Sequence, residues 1–137
     1  MNISEALKNR VLGEAYFLRA HYHFILVQLF GGVPLITVAQ TPQDDLRPAR
    51  STREEVYQLI LLDLEKAISL LPAKNEMAAT DLGRATKGAA IGMLAKVQLT
   101  LGNYNETIAL CETLQTMGYS LHTRYSDNFN PATKKRR

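Results

Sequence analysis

Tryptophan is absent from the 137-residue sequence, and cysteine occurs once, as Cys111. A single thiol excludes an internal disulfide and a zinc site built from four cysteines. No apolar run approaches the roughly 18–20 residues that a membrane-spanning helix needs. An excess of one charge is also missing. Sixteen Lys and Arg face thirteen Asp and Glu, and four of the basic residues form the terminal run Lys134, Lys135, Arg136 and Arg137. Without that run the balance is 12 − 13, or −1, so the body of the chain is near neutral and does not read as a nucleic-acid binder. What is present is 46% hydrophobic against 21% charged residues. That ratio belongs to a globular chain, and the length suits one ordinary core.

The residues that could carry chemistry do not assemble into a catalytic or metal-binding set. His21 and His23 form His-x-His within a helical pattern, where positions i and i+2 point about 200° apart and do not share a metal. Asp44-Asp45 reads as a solvated turn, because the oxygen spacing of a calcium loop is missing. Gly31-Gly32 is not followed by the Lys and Ser/Thr of a phosphate loop. Glu54 and Glu55 open a helix and complement its dipole. Cys111 falls on an inward stripe and reads as a small buried hydrophobe. Tyr16, Tyr22, Tyr57 and Tyr104 fall in helices and are expected in packing, whereas Tyr119 and Tyr125 are better placed to present an exposed ring. The chain is therefore expected to be no enzyme and to need no cofactor or metal, with its ligand-binding residues unknown.

Four segments show helical periodicity. The first covers residues 4–30, where Ala15, Leu18, Tyr22, Ile25 and Leu29 at spacings 3, 4, 3 and 4 mark one stripe. Phe17, Phe24 and Leu26 widen it, which predicts burial on more than one side. Gly31-Gly32 and Pro34 end this helix. A connection of about twenty residues follows, rich in breakers and long for a compact domain. The second helix starts near Ser51, where Ser51/Glu54 and Thr52/Glu55 both fit a capping box. Val56, Ile60, Leu64, Ala67 and Leu71 form its apolar face, Asp63, Glu65 and Lys66 lie off that face, and Pro72 ends it.

Residues 73–84 read as a loop. The third helix, 85–101, has the stripe Ala90, Met93, Val97 and Leu101 and many small residues. Gly88 and Gly92 each cost roughly 1 kcal/mol against Ala, which calls for a packing reason. After the Gly102-Asn103 turn, the fourth helix, 104–117, points Ile108, Cys111, Leu114 and Met117 inward until Gly118. Tyr119, Leu121, Tyr125 and Phe129 are free to fold back on the helices. Residues 130–137 read as a disordered basic tail.

The fold class predicted is all-α: antiparallel helix pairs packed as a tetratricopeptide-like α-α superhelix, with a long loop between the first two helices. Gly102 and Tyr104 match the turn of that repeat, Leu94 sits eight residues earlier where the pattern wants Leu, and Ala67 and Pro72 match its closing pair. Two pairs alone leave an apolar side uncovered, so a partner or further chain is expected and the isolated chain is expected to self-associate.

The segment Gly13-Glu14-Ala15-Tyr16-Phe17-Leu18-Arg19-Ala20-His21-Tyr22-His23-Phe24, continuing to Leu29-Phe30-Gly31-Gly32-Val33-Pro34-Leu35, closely resembles the signature of SusD/RagB-like proteins, the nutrient-uptake outer-membrane lipoproteins of Bacteroidetes. Val56-Tyr57 through Leu71-Pro72, Gly83-Arg84-Ala85-Thr86-Lys87-Gly88-Ala89-Ala90, Tyr119-Ser120-Leu121 and Tyr125-Ser126-Asp127-Asn128-Phe129 continue the resemblance, which extends to about Phe129. It implies a non-catalytic helical scaffold, residues 1–129, belonging to a cell-surface protein that binds glycans or other nutrients and works with a TonB-dependent, SusC-like transporter. It implies an outer-membrane location, although the N-terminus shows no signal segment or early Cys, so the chain is expected to be a piece of a longer protein. The alternative is a tetratricopeptide-like adaptor that binds a protein partner in the cytoplasm.

Overall fold

The computed structural model describes residues 3–41, 43, 47–81, 83–119 and 122–129, and these contain helices and no strand. The expected all-α class holds. The Asp44-Asp45 pair, Leu121 and the 130–137 tail lie outside the described residues. The chain divides into two compact units, the first ending at Leu71 and the second starting at Pro72.

The first unit is the pair α1 (Glu5–Phe30) and α2 (Arg53–Leu70). Their contacts run in opposite senses along the chain: Gly13 meets Leu71, Arg19 meets Asp63, Phe24 meets Tyr57 and Gly32 meets Ser51. The pair is therefore antiparallel. Gly13 permits the close approach, since a Cβ there would lie 2.9 Å from Leu71 Cγ. On α2 the expected face is buried in full: Val56, Ile60, Leu64, Ala67 and Leu71 are all sealed from solvent, joined by Tyr57.

On α1 the expected face is wrong. Ala15, Leu18, Tyr22, Ile25 and Leu29 are all exposed, and the helix meets α2 through Gly13, Ala20, Phe24 and Val27 instead. The 3-4 spacing was correctly read as a stripe, but a second apolar stripe lies on the opposite side. The small residues Gly13 and Ala20 made that second stripe look weak, although smallness is what lets α2 approach.

Of the two capping boxes, α2 uses the later one. The Thr52 hydroxyl accepts from the Glu55 N–H at 3.2 Å, and the Thr52 N–H donates to Glu55 Oε2 at 2.7 Å. Ser51 is occupied elsewhere, donating its N–H to the Val33 carbonyl at 3.3 Å. That bond belongs to a clasp which shuts the long connection. Gly31, at φ 71°, carries its N–H back to Val27, while the Arg50 guanidinium donates to the carbonyls of Phe30 and Gly32. A cation thus covers the orphan carbonyls at the end of α1, where the helix dipole is negative. Gly32 leaves no room for a side chain against the Ser51 carbonyl.

The second unit holds α3 (Lys87–Leu101) and α4 (Tyr104–Thr116), preceded by 3-10 turns at Lys74–Glu76 and Ala79–Asp81 within the expected loop. Thr86 caps α3 by accepting from the Ala89 N–H at 3.2 Å. Gly102, left-handed at φ 82°, closes it with paired bonds from Gly102 N–H to Leu99 and Asn103 N–H to Gln98. This is the Schellman arrangement, and it turns the chain so that α4 runs back along α3, Leu114 facing Gly92 and Tyr119 reaching Gly88.

Gly88, Ala90, Ile91, Leu94, Ala95 and Val97 of α3 are buried. Leu94 is thus internal as expected, Met93 is half-buried and Leu101 is exposed. α4 has no buried residue. Its least exposed positions are Thr107, Leu110 and Leu114, followed by Met117 just past its end, so Ile108 and Cys111 point to solvent, against expectation. The stripe is rotated by one residue because Leu110, not Cys111, shares a face with Leu114 and Met117.

Candidate functional site

Asp63, expected off the apolar face, is the exception among the described charged residues: it is 1% exposed in the α1/α2 seam. Arg19 from α1 answers it with a two-pronged bond, Nε to Oδ2 at 2.6 Å and Nη2 to Oδ1 at 2.7 Å. The fork geometry matches guanidinium to carboxylate and satisfies both oxygens. Hydrogen bonding to Asp63 raises the Arg19 pKa further above its ordinary value, against the opposing effect of burial. Tyr16 extends the cluster, with the Arg19 Cζ 5.5 Å and the Lys66 Nζ 5.1 Å from its ring centre. Both Asp63 oxygens are therefore paired, and the Lys66 ammonium lies over the Tyr16 ring. The fork pins α1 against α2 in one register.

The opposite side of α1 is different. At about 100° per residue, Ala20, Phe24, Val27 and Gly13 centre roughly 160° from Val11, Leu18, Tyr22, Ile25 and Leu29. The outward set is 40–70% exposed, and Leu7, Leu12, Leu26 and Phe30 widen it. Glu14, His21 and Gln28 rim one edge, with Arg19, already committed to Asp63, on the other. A continuous apolar strip with a polar rim marks a surface made to be covered.

The remaining sequence candidates disperse. His23 Nδ1 lies 2.9 Å from the Arg19 carbonyl, whereas His21 stacks on Phe17 and meets Tyr22 edge to face, so the two histidines have separate structural roles. No group of three or more His, Cys, Asp or Glu converges among the described residues. Tyr57 is buried as expected, but its hydroxyl finds no hydrogen-bond partner there. Tyr22 and Tyr104, expected in packing, are exposed. Tyr119 folds back over Gly88, its hydroxyl 3.4 Å from Thr86 Oγ1 and its ring under the Lys74 Nζ. Tyr125 and Phe129 pair edge to face at 5.3 Å, both largely exposed.

Comparison with known proteins gives the chain a family. Residues 2–99 match the model of the SusD-like family described as "Starch-binding associating with outer membrane". A SusD-like protein of Bacteroides ovatus is 36% identical over 104 residues, covering 76% of this chain and 18% of its own length. SusD-like protein P38 of Formosa agariphila is 35% identical over 114 residues, covering 82% of this chain and 22% of its own. The chain thus spans about a fifth of the length of these curated relatives. Among solved structures, a SusD-like protein of Bacteroides fragilis superposes with a TM-score of 0.81 at 39% identity, over 88% of this chain and 23% of that one. A laminarin-binding SusD-like protein superposes with a TM-score of 0.87 at 29% identity, over 98% and 30% respectively.

Proposed function

This chain belongs to the SusD-like family, and from that premise we propose that it forms the non-catalytic helical scaffold of a cell-surface glycan-binding lipoprotein that works with a TonB-dependent outer-membrane transporter. The family match across α1, α2 and most of α3 carries the reading. Carbohydrate binding in named neighbours supports it, as does the Arg19–Asp63 fork, which stabilises a frame. The apolar strip of α1 is what a frame presents to the structure built around it. In this reading the chain supplies support and the glycan contacts come from elsewhere in the longer protein.

Two measurements test this. The longer protein is expected to be retarded in gels containing a β-glucan or starch and to co-purify with an outer-membrane barrel. The 137-residue chain alone is expected to show no retardation. Recovery of a cytosolic partner in place of a barrel would favour the adaptor alternative, and turnover of any glycan by the chain would sink the non-catalytic assignment.

A further inference from the structure

We propose that Arg50 is a latch which closes the neck of the long connection, so that the segment beyond the neck can change in length and sequence without disturbing the α1/α2 pair. A helix end is ordinarily capped by groups within a few positions of it. Here the guanidinium that takes the Phe30 and Gly32 carbonyls stands 20 and 18 positions downstream of them. Its bonds therefore join the two ends of the connection as well as covering the end of α1. The backbone closes the same neck. Ser51 N–H donates to the Val33 carbonyl at 3.3 Å, and Gly32 packs against the Ser51 carbonyl with no room for a side chain. The left-handed Gly31 lies between the two carbonyls that share the guanidinium. Thr52 then caps α2 directly after the neck.

The described residues beyond the neck give no side chain to the core. Residues 31–33 and 51 are half-buried, whereas 36–41, 43 and 47–50 are all exposed. Even the large apolar side chains of Ile36 and Val38 are 46% and 75% exposed. Closed ends with exposed residues between them are the form of a surface loop that is energetically separable from its scaffold. Its remaining cost is closure entropy, which grows slowly with length. Arginine suits the latch because its planar fork reaches two acceptors at once, whereas a lysine ammonium is a compact point charge without that fork.

Hydrogen exchange on the whole chain reads the latch at the amides of Gly31 and Ser51, which bond to Val27 and Val33, with the amide of buried Ile60 as internal reference. Arg50 is exposed, so Arg50→Gln is expected to keep the fold. It is expected to speed exchange at Gly31 and Ser51 by about tenfold or more, leaving Ile60 within about twofold of wild type. Arg50→Lys keeps the charge and loses the fork, and is expected to remain about threefold or more faster than wild type at both amides. A second measurement leaves the latch intact. Sixteen Gly and Ser residues inserted after Gln43 double the segment 34–49. The insertion is expected to raise the unfolding equilibrium constant only about threefold, the closure cost of one doubling, and to leave Gly31 and Ser51 exchange within about twofold. Unchanged exchange in Arg50→Gln, full rescue by Arg50→Lys, or a loss of stability beyond about tenfold on insertion would each overturn the latch. None of those outcomes bears on the scaffold reading, which fails instead on the glycan and barrel measurements.

Discussion

In the first helix pair both members feed the core: α1 gives Ala20, Phe24 and Val27, and α2 gives Val56, Tyr57, Ile60, Leu64, Ala67 and Leu71. In the second pair α3 supplies every buried side chain and α4 none. The pairs share a topology and differ in how they are locked. The first has Gly13 for close approach, the Arg19–Asp63 fork across its middle and the Arg50 clasp at one end. The second is held by a Schellman turn at one end and by Tyr119 over Gly88 at the other, with only half-buried residues of α4 between. A close approach and two polar devices tie the helices of the first pair together, whereas the second pair relies on α3 being buried.

The sharpest test removes the fork. Arg19→Met leaves the Asp63 carboxylate buried without a counter-charge and is expected to cost about 3–5 kcal/mol in denaturant unfolding. Arg19→Met with Asp63→Leu is expected to recover most of that loss, because the penalty lies in the stranded charge. A loss below about 1 kcal/mol for the single variant would show that the fork contributes little, and the contrast between the pairs would narrow to apolar packing.

Matched truncations come next. Leu64→Ala and Leu94→Ala remove the same atoms from α2 and α3, and each is expected to cost about 2–5 kcal/mol. Leu64 is fully enclosed and Leu94 is not, so the α2 variant should lie at the upper end. Equal losses would mean that the two cores are equally tight. A loss under about 0.5 kcal/mol for Leu94→Ala would make that position peripheral, as surface substitutions are.

A smaller effect tests the start of α2. Thr52→Ala deletes the cap and is expected to cost about 1 kcal/mol. The Glu55 pKa is lowered below its ordinary 4.5 by the Thr52 backbone N–H first and the Thr52 hydroxyl second. A depressed folded value means that this contribution is present above the unfolded value and is lost as pH falls through the folded one. Thermal unfolding followed from neutral pH to below 4 should therefore show an acid-side decline that is weaker in Thr52→Ala. Parallel pH profiles for the two proteins would contradict the capping box.

Much of this architecture was readable because its signals are local. The Thr52/Glu55 box, the Gly102 turn and the α2 face each depend on residues within a turn or two of one another. The face of α1 was misread because two apolar stripes compete on one helix, and periodicity alone does not say which of them a neighbour covers. Asp63 was misassigned for a related reason: its partner lies 44 positions away, and no local pattern announces a buried carboxylate. Cys111 and Ile108 were placed inward because Leu114 and Met117 fit two registers, and only the path of α3 decides between them. An uncovered apolar side was expected from two pairs alone, but not that the 3-4 stripe of α1 would be that side.

The smallest effect separates two glycines that the sequence makes equivalent. Gly88 and Gly92 lie one turn apart on α3, and both carry the same propensity cost. A Cβ on Gly92 would meet only Leu114 Cδ1 at 3.7 Å, an ordinary contact, whereas one on Gly88 would collide with the Tyr119 ring, Cε2 lying 2.6 Å away. Gly92→Ala is therefore expected to stabilise by a few tenths to about 1 kcal/mol, because the helix gains propensity and the unfolded chain loses freedom. Gly88→Ala should gain nothing, since Tyr119 must leave its seat, and its ring should become more accessible to solvent, as tyrosine fluorescence quenching would report. If both alanines stabilise equally with Tyr119 unmoved, the aromatic seat is not what holds the far end of the second pair.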